Sequence, residues 1–244
     1  MRPLSLTRLL QLSSQALPIG GYSHSQGLEA AIEQQIVSDE GSLLVWIFDI
    51  FEFSMASFEI PCLLSMSAAW AESDPAAVAA LNDEFLSTRE SAEIRAAGVQ
   101  MGFSLRDLLC NLPDVPTSTI DALRAIGEPS LPCVWSAAVV MWQIEPQEAV
   151  IGYLWTWAEN QVLVSMKAVP IGQSAGQRVL LAVGSKIAEL AARLESGEMD
   201  TGEIRAGDMD AGDMAGMWSG SNFCPGLAIL SSQHETQYSR LFRS

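Results

Sequence analysis

Apolar residues recur along most of the chain with the spacing of helices. After Gly176 they follow one another at steps of three and four residues, forming a stripe of Leu180, Val183, Ile187, Leu190 and Leu194. Such a stripe is typical of an amphipathic helix of about five turns. Sustained period-two alternation and Asn-Gly hairpin signals do not occur, so strands have little support. Segments apolar nearly all round, which indicate helices inside a bundle, are 43–56, 58–72, 131–143 and 147–166.

Capping signals add predicted helix starts. Asp74-Pro75 and Glu145-Pro146 place a proline at the first helical position. Three capping boxes, in which a hydroxyl precedes a carboxylate by three residues, predict starts at Ser87, Ser118 and Ser232. We therefore expect an all-α fold, a single helical-bundle domain of about ten helices.

The end of the chain differs from the bundle, which we place at residues 1–195. Residues 196–220 are rich in Gly, Asp and Met and have few large apolar residues, which predicts a flexible acidic linker. Residues 221–244 form a C-terminal segment with a short helix, in which Tyr238, Leu241 and Phe242 share one face. Two alternatives stay open for this helix: packing on the domain, or waiting for a partner.

Composition and charge exclude several classes of protein. The 244 residues are 49% hydrophobic, which is ample for a core and excludes wholesale disorder. The net charge of −16 repels phosphate backbones, so we expect no nucleic-acid partner. No Lys or Arg occurs from Leu9 to Thr88, where eleven Asp and Glu lie. If this acidic stretch binds a charged partner, that partner should present a basic surface. The alternative is that the acidic side chains of the stretch are simply exposed to solvent.

Cysteine spacing and hydropathy indicate a cytoplasmic chain without a membrane contact. The four cysteines are widely separated, which is typical of reduced, buried thiols. No secretory signal is convincing, because polar residues interrupt the apolar N-terminal stretch. The longest uncharged apolar run, Pro129 to Ile144, has two prolines and falls short of the roughly 20 residues that cross a bilayer.

Residues for an active site are scarce. The only histidines, His24 and His234, stand in no metal-ligand spacing, and no phosphate-binding Gly-rich loop is present. We therefore assign no catalytic, cofactor-binding or metal-binding residues and expect no tight nickel binding. A weak nickel or copper site using His24, Cys224, His234 and methionines stays open, as does a serine nucleophile paired with a histidine.

Three segments of unusual sequence offer further evidence about function: 17–29, 167–177 and 234–244. The first two join a Pro-Gly break to a helix, and the first and last mix aromatic, amide and charged side chains. Such mixtures suit protein interfaces, where Tyr and Arg supply anchors. For the first two segments, an ordinary connection between helices stays an equal alternative.

These segments together resemble the family of the urease accessory protein UreF. The family pattern Leu-Pro-(Ile/Val)-Gly-Gly-(Tyr/Phe)-Ser…Gly-Leu-Glu is met at 17–29, and its His-Glu-x-x-Tyr-Ser-Arg-Leu-Phe-Arg-Ser tail at 234–244. Between them, Arg-Glu-x-x-Glu-x-Arg is met at 89–95 and Val-Pro-x-Gly-Gln at 169–173. The chain departs from the pattern at Ala96 and Ala97, where a polar pair is usual, and in its acidic loop.

The resemblance implies a non-enzymatic, all-helical assembly protein that forms a homodimer. It would join the accessory protein UreD (UreH in some organisms) and the GTPase UreG on apo-urease, for GTP-dependent nickel insertion. A GTPase-activating protein that inserts Arg240 or Arg243 into UreG is an alternative, as is an unrelated helical nickel-binding protein or enzyme.

The partner-binding residues that we expect are Tyr22, His24, Gln26, Glu29, Lys167, Gln173, His234, Glu235, Tyr238, Arg240, Phe242 and Arg243. We expect the tail to bind UreD, burying Tyr238, Leu241 and Phe242. The UreG-facing surface should include Tyr22, His24, Glu29 and Lys167. For Lys167, a simple charge at a helix C-terminus is the competing interpretation.

Overall fold

The computed structural model describes residues 2–197, 222 and 224–243. Within these ranges the secondary structure is helical, without a strand, which confirms the all-α prediction. The eleven α-helices of the described ranges are α1 (Pro3–Leu12), α2 (Leu28–Glu33), α3 (Glu40–Ile50), α4 (Ile60–Ala71), α5 (Pro75–Ser87), α6 (Ala92–Cys110), α7 (Thr117–Ala125), α8 (Leu131–Met141), α9 (Pro146–Ala168), α10 (Gln173–Glu195) and α11 (Pro225–His234). Nearly all of the expected acidic linker, 198–220, lies outside the described residues.

The apolar segments 43–56 and 58–72 belong to one continuous rod. A π-helix of nine residues, Phe51–Glu59, connects α3 directly to α4. The wider turn of a π-helix is rare and occurs frequently at functional sites. Here it ends at Glu59, a carboxylate that points into the bundle and is described below.

The proline signals predict helix starts correctly. Pro75 is the first residue of α5, and the Asp74 carboxylate accepts hydrogen bonds from the amides of Ala76 and Ala77 at 3.1 and 3.0 Å. Pro146 likewise begins α9. Both prolines occupy the first position of their helix, where a backbone N–H would have no carbonyl acceptor within the helix. Proline, which lacks this N–H, therefore breaks no helical hydrogen bond there.

The capping boxes are less reliable guides. The start expected at Ser87 is wrong, because Ser87 is the last residue of α5 and its hydroxyl donates back to the carbonyl of Glu84 at 2.7 Å. Ser91 instead caps α6, accepting from the amide of Ile94. The start expected at Ser232 is also wrong, since α11 begins at Pro225. The box at Ser118 is displaced by two residues, since the residue that precedes α7 is Pro116 and the helix begins at Thr117.

The core is organised around α8 and α9. Helix α8 packs against both α4 and α6, while α9 packs against α10 and α2. The predicted stripe of α10 is largely confirmed, with Val183, Ile187 and Leu190 buried. Gly102 permits the close approach of α6 to the start of α8, because a Cβ there would lie 2.0 Å from the carbonyl oxygen of Pro129.

The length and hydropathy of each helix decide whether that helix could span a membrane. No helix of the described ranges is both long and apolar enough to cross a bilayer.

Candidate functional site

The C-terminal tail, residues 235–243, folds back onto the segment that precedes and begins α2. The amide of Arg243 donates to the carbonyl of Ser23 at 2.8 Å. The amides of Leu241 and Phe242 both donate to the carboxylate of Glu29, at 2.6 and 3.0 Å. Two of the three unusual sequence segments, which are separated by more than two hundred residues, are thus in direct contact.

The third segment reaches the same place through Lys167. This lysine lies in the last turn of α9, and its Nζ atom lies 5.6 Å from the centroid of the Phe242 ring. That distance suits a cation–π contact between Lys167 and the buried Phe242 ring. An open groove of about 540 Å³ results, lined by Tyr22, Ser23, Lys167, Arg240, Leu241, Phe242 and Arg243.

A charged cluster joins the tail to the domain, and we call it the tail cluster: the largely buried Glu29, Glu93 and His234, and the more exposed Arg240. The His234 ring is completely buried, with Nδ1 2.7 Å from Glu93 and Nε2 3.1 Å from Glu29. Arg240 completes the cluster, because its Nη1 lies 2.6 Å from the second oxygen of Glu93. Arg240 also donates to the carbonyl oxygens of Gln237 and Glu235. The cluster therefore ties the tail to α2, α6 and α11.

The expected partner-binding residues divide by exposure. Those whose side chains face outward are Tyr22, Lys167, Gln173, Glu235, Tyr238, Arg240 and Arg243. His24, Glu29, His234 and Phe242 are buried within this chain. Gln26 is half-buried and accepts a hydrogen bond from the indole of Trp157. In this conformation the buried residues support the surface from below, whereas the exposed ones form it.

The tail itself is not helical, which corrects the expected helix across Tyr238, Leu241 and Phe242. Tyr238 and Leu241 are exposed, while Phe242 is buried against the domain. The reason is that the amides of Leu241 and Phe242 bond to Glu29 instead of to carbonyls one turn earlier. Of the two alternatives left open by the sequence, the tail packs on the domain.

His24 lies under the end of the tail as a neutral ring near pH 7. Burial lowers the pKa of His24 below its ordinary value of 6.5, and the nearby charge of Arg243 lowers it further. Its carbonyl accepts a hydrogen bond of 2.9 Å from the Asn160 side chain on α9. The segment that carries Tyr22 is thereby anchored to the bundle.

Sequence reasoning missed a second buried cluster, which we call the core cluster: Glu59, Arg89 and Tyr153. Arg89 Nη1 lies 3.1 Å from Glu59, which also accepts a hydrogen bond from the Tyr153 hydroxyl. The Arg89 guanidinium lies 4.1 Å from the Phe85 ring centroid, and the cluster borders a partly open cavity of about 100 Å³. One sequence signal pointed there, since Arg89 is the first basic residue after the long acidic stretch.

The Arg-Glu-x-x-Glu-x-Arg motif is explained by these clusters. Arg89 pairs with Glu59, Glu93 with His234, and Arg95 with Glu128 at 2.8 Å. Each pair joins segments distant in sequence, so the motif connects the start of α6 to the rest of the molecule.

Metal-ligating groups are dispersed in the described part of the chain. No group of three or more His, Cys, Asp or Glu residues there is arranged to hold a metal ion. Both ring nitrogens of His234 already face carboxylates. Burial raises the pKa of the Cys133 thiol to about 12 and that of Cys62 as well, so neither offers a thiolate near neutral pH.

The described residues form an all-α bundle with the C-terminal tail docked beside an open groove. The family model described as UreF matches residues 37–184. The chain belongs to the UreF family of urease accessory proteins. Such accessory proteins are non-catalytic, so the chain is not an enzyme.

The similarity to known UreF proteins extends over nearly the whole chain. The urease accessory protein UreF of Dechloromonas aromatica is 45% identical over 99% of this chain and 98% of its own length. The UreF protein of Azoarcus sp. strain BH72 is 46% identical, covering 99% of this chain and 96% of its own length. That of Methylobacillus flagellatus is 40% identical over 98% of each.

Proposed function

We propose that this chain is an adaptor in urease maturation. It joins UreD and the GTPase UreG on apo-urease, so that nickel enters the urease active site in a GTP-dependent step in the cytoplasm. GTP is bound by UreG, and nickel is cargo. The observation that carries the proposal is the convergence of the three family segments on one groove, which Tyr22, Lys167 and the tail line.

The chemistry of this groove suits a protein partner. Three exposed cations, Lys167, Arg240 and Arg243, gather there on a chain whose net charge is −16. Tyr22 and Leu241 add exposed apolar area beside them. Aromatic and arginine side chains are the usual energetic anchors of interfaces, and local charge reversal steers association. We assign the groove to UreG, with acidic groups of UreG facing Lys167 and Arg243, because Arg240 is already paired with Glu93.

UreD is assigned to the outer side of the tail. Tyr238 is fully exposed there, three residues before Leu241, which is also exposed. A UreD molecule bound at this point would hold the tail against the domain and so stabilise the groove. The homodimer remains a proposal based on the family resemblance.

The first experiment compares the two lysines of the chain. Lys167→Ala should weaken recruitment of UreG to the complex with UreD and lower urease activation in cells. Melting temperature should change by less than about two degrees, because an exposed substitution costs about 0.5 kcal/mol or less. Lys186→Ala is the matched control, since Lys186 pairs with Glu52 and Glu189 and lies outside the groove.

Two outcomes would contradict the assignment of the groove. One is normal UreG recruitment by Lys167→Ala, and the other is loss of UreD together with UreG. Phosphate release by UreG, measured with and without this chain, separates an adaptor from an activator. Because the Arg240 guanidinium is bonded within its own chain, an activator would have to use Arg243.

A further inference from the structure

We propose that the cavity beside the core cluster binds a small neutral amide, which accepts hydrogen bonds from Arg89 and Trp135 and donates one to Asn160. We call this site the core cavity; its volume is about 100 Å³, and it is partly open to the surface. Tyr22 lines both the core cavity and the groove, so a ligand would lie directly behind the groove. Binding in the core cavity is a property of the chain alone and does not depend on the proposed function.

Two side chains that line the core cavity have N–H groups without an acceptor among the described residues. These groups are Nε and Nη2 of Arg89, whose side chain is 5% exposed, and Nε1 of the completely buried Trp135. A buried donor without an acceptor is costly and uncommon in native proteins. Arginine stays protonated in proteins and the indole N–H only donates, so both assignments are independent of pH.

The free nitrogens of Arg89 form one complete edge of its guanidinium. Nη1 is used by Glu59, whereas Nε and Nη2 remain as a pair of parallel donors. Arg178 uses the same edge elsewhere in this chain, where its Nε and Nη2 hold the two carboxylate oxygens of Glu40. The free edge of Arg89 therefore suits an oxygen acceptor.

The charges around Arg89 favour a neutral ligand over a carboxylate. Glu59 already balances the guanidinium, and Glu90 lines a second cavity, of about 30 Å³, that Arg89 also borders. A carboxylate ligand would bring a further negative charge beside these two acidic side chains, in a place largely removed from water. A neutral carbonyl oxygen accepts from the same donors without adding a charge.

An acceptor and apolar walls complete the site. The buried Asn160 side chain donates through Nδ2 to the carbonyl of His24, and its Oδ1 has no donor among the described residues. An amide N–H can donate to this oxygen. The apolar part of the wall includes Leu17, Ile19 and Met101. Small-molecule sites combine such apolar walls with a few placed polar groups.

The volume of the core cavity sets the size of its ligand. It is about three times the roughly 30 Å³ that one water molecule takes up in the liquid, which leaves room for about four or five non-hydrogen atoms. Propionamide has this size, with a carbonyl acceptor, an N–H donor and an apolar end. For so few atoms, we expect a dissociation constant on the order of 1 mM.

The test is a nuclear magnetic resonance titration of the full chain with propionamide, without partners. The indole N–H signals of the seven tryptophans are followed, and that of Trp135 is assigned by its loss in Trp135→Phe. We expect the Trp135 signal to shift saturably, while the signal of Trp142, which does not line the core cavity, stays in place. Propionate, which has the same shape, should bind at least about tenfold more weakly because of its charge.

Two results of the titration would overturn the proposal. One is the absence of a saturable Trp135 shift with propionamide, which would mean that the core cavity takes up only water. The other is equal binding of propionate, which would mean that the neutral amide is not selected.

A variant that fills the core cavity locates the binding. Gly98 of α6 lines the cavity, and a Cβ placed there has open space within 4 Å. Gly98→Leu should therefore fold and weaken propionamide binding at least about tenfold, because its side chain competes for the space of the ligand. Unchanged binding by this variant would place the ligand elsewhere and overturn the proposal.

A second variant tests the indole donor. Trp135→Phe should weaken propionamide binding about three- to tenfold, because one hydrogen bond is lost. Its binding is followed through the methyl group of Met101, which lines the cavity. Trp142→Phe is the matched control and should bind like the wild type; equal affinities of the two variants would contradict the role of the indole. If Trp135→Phe is unfolded, the wild-type titration and Gly98→Leu still decide.

Discussion

The core cluster and the tail cluster use the same chemistry in different surroundings. In the core cluster, Arg89 pairs with Glu59 while lying against the rings of Phe85 and Phe58. In the tail cluster, Arg240 and His234 share Glu93. Both clusters are largely removed from water, and both connect α6 or its approach to distant parts of the chain.

What differs is the segment that each cluster holds. In the core cluster, Glu59 and Tyr153 belong to packed helices and Arg89 to the short connection between α5 and α6, and the apolar core around them keeps these elements in place even if the ion pair is broken. The tail of residues 235–243 has no helix of its own, and its contacts are mainly the tail cluster, Ser23 and the Phe242 ring. Breaking the core cluster should therefore lower the free energy of unfolding. Breaking the tail cluster should instead release the tail, so that the groove it lines no longer forms.

The largest expected effect is that of Arg89→Ala. It leaves Glu59 as a buried charge without its cation, which costs about 3–5 kcal/mol. For a chain of this length the melting temperature should fall by about 10 °C. Thermal unfolding followed by circular dichroism measures this. Arg95→Ala is the matched control, because its pair with Glu128 is half exposed and contributes under about 1 kcal/mol. Equal losses in the two variants would contradict the buried role of Arg89.

A smaller loss is expected from Tyr153→Phe. This change removes the hydroxyl that donates to Glu59, and an unsatisfied buried acceptor costs about 1–3 kcal/mol. Burial and the charge of Glu59 raise the pKa of Tyr153 well above its ordinary value of 10.0, so the hydroxyl stays a donor in mildly alkaline solution. Chemical denaturation should show the loss as a lower midpoint with an unchanged slope. An unchanged midpoint would show that Tyr153 does not support the carboxylate.

Arg240→Ala should have the smallest effect on stability and a large one on binding. Its side chain is partly exposed, so the free energy of unfolding should change by less than about 1 kcal/mol. UreG recruitment should nevertheless be lost, because the tail loses its contacts with Glu93. A pull-down with UreD and UreG measures this, with Arg178→Ala as the control for removing an exposed arginine from a pair. Normal recruitment of UreG by the Arg240→Ala variant would show that UreG binding does not depend on the tail cluster.

The helices were predictable because their determinants are local. The stripe of α10 and the prolines that begin α5 and α9 act within a few residues of themselves. The capping box at Ser87 misled because a hydroxyl near a helix end can bond to a carbonyl behind it as readily as cap the turn ahead. The one at Ser232 misled because Ser232 lies within α11, which already begins at Pro225.

The site was only partly predictable. Motif resemblance picked out segments that the fold brings together, but their meeting depends on contacts such as that of Leu241 with Glu29, which are 212 residues apart. Since such a pairing leaves no periodic signal, the tail was expected to be helical. The core cluster was missed for the same reason, because Glu59 and Tyr153 are unremarkable in their own segments.

Site-specific photo-crosslinking tests the central claim, that the docked tail and the Tyr22 segment form the surface for UreG. A photoreactive residue at Tyr22, in the complex with UreD, should crosslink to UreG. One at the exposed Leu4 should not, because α1 begins beside Gln143 at the opposite end of α9 from Lys167. The Tyr22 crosslink should disappear when Arg240→Ala is added. A crosslink that forms from Leu4 instead, or one from Tyr22 that Arg240→Ala leaves unchanged, would contradict the account.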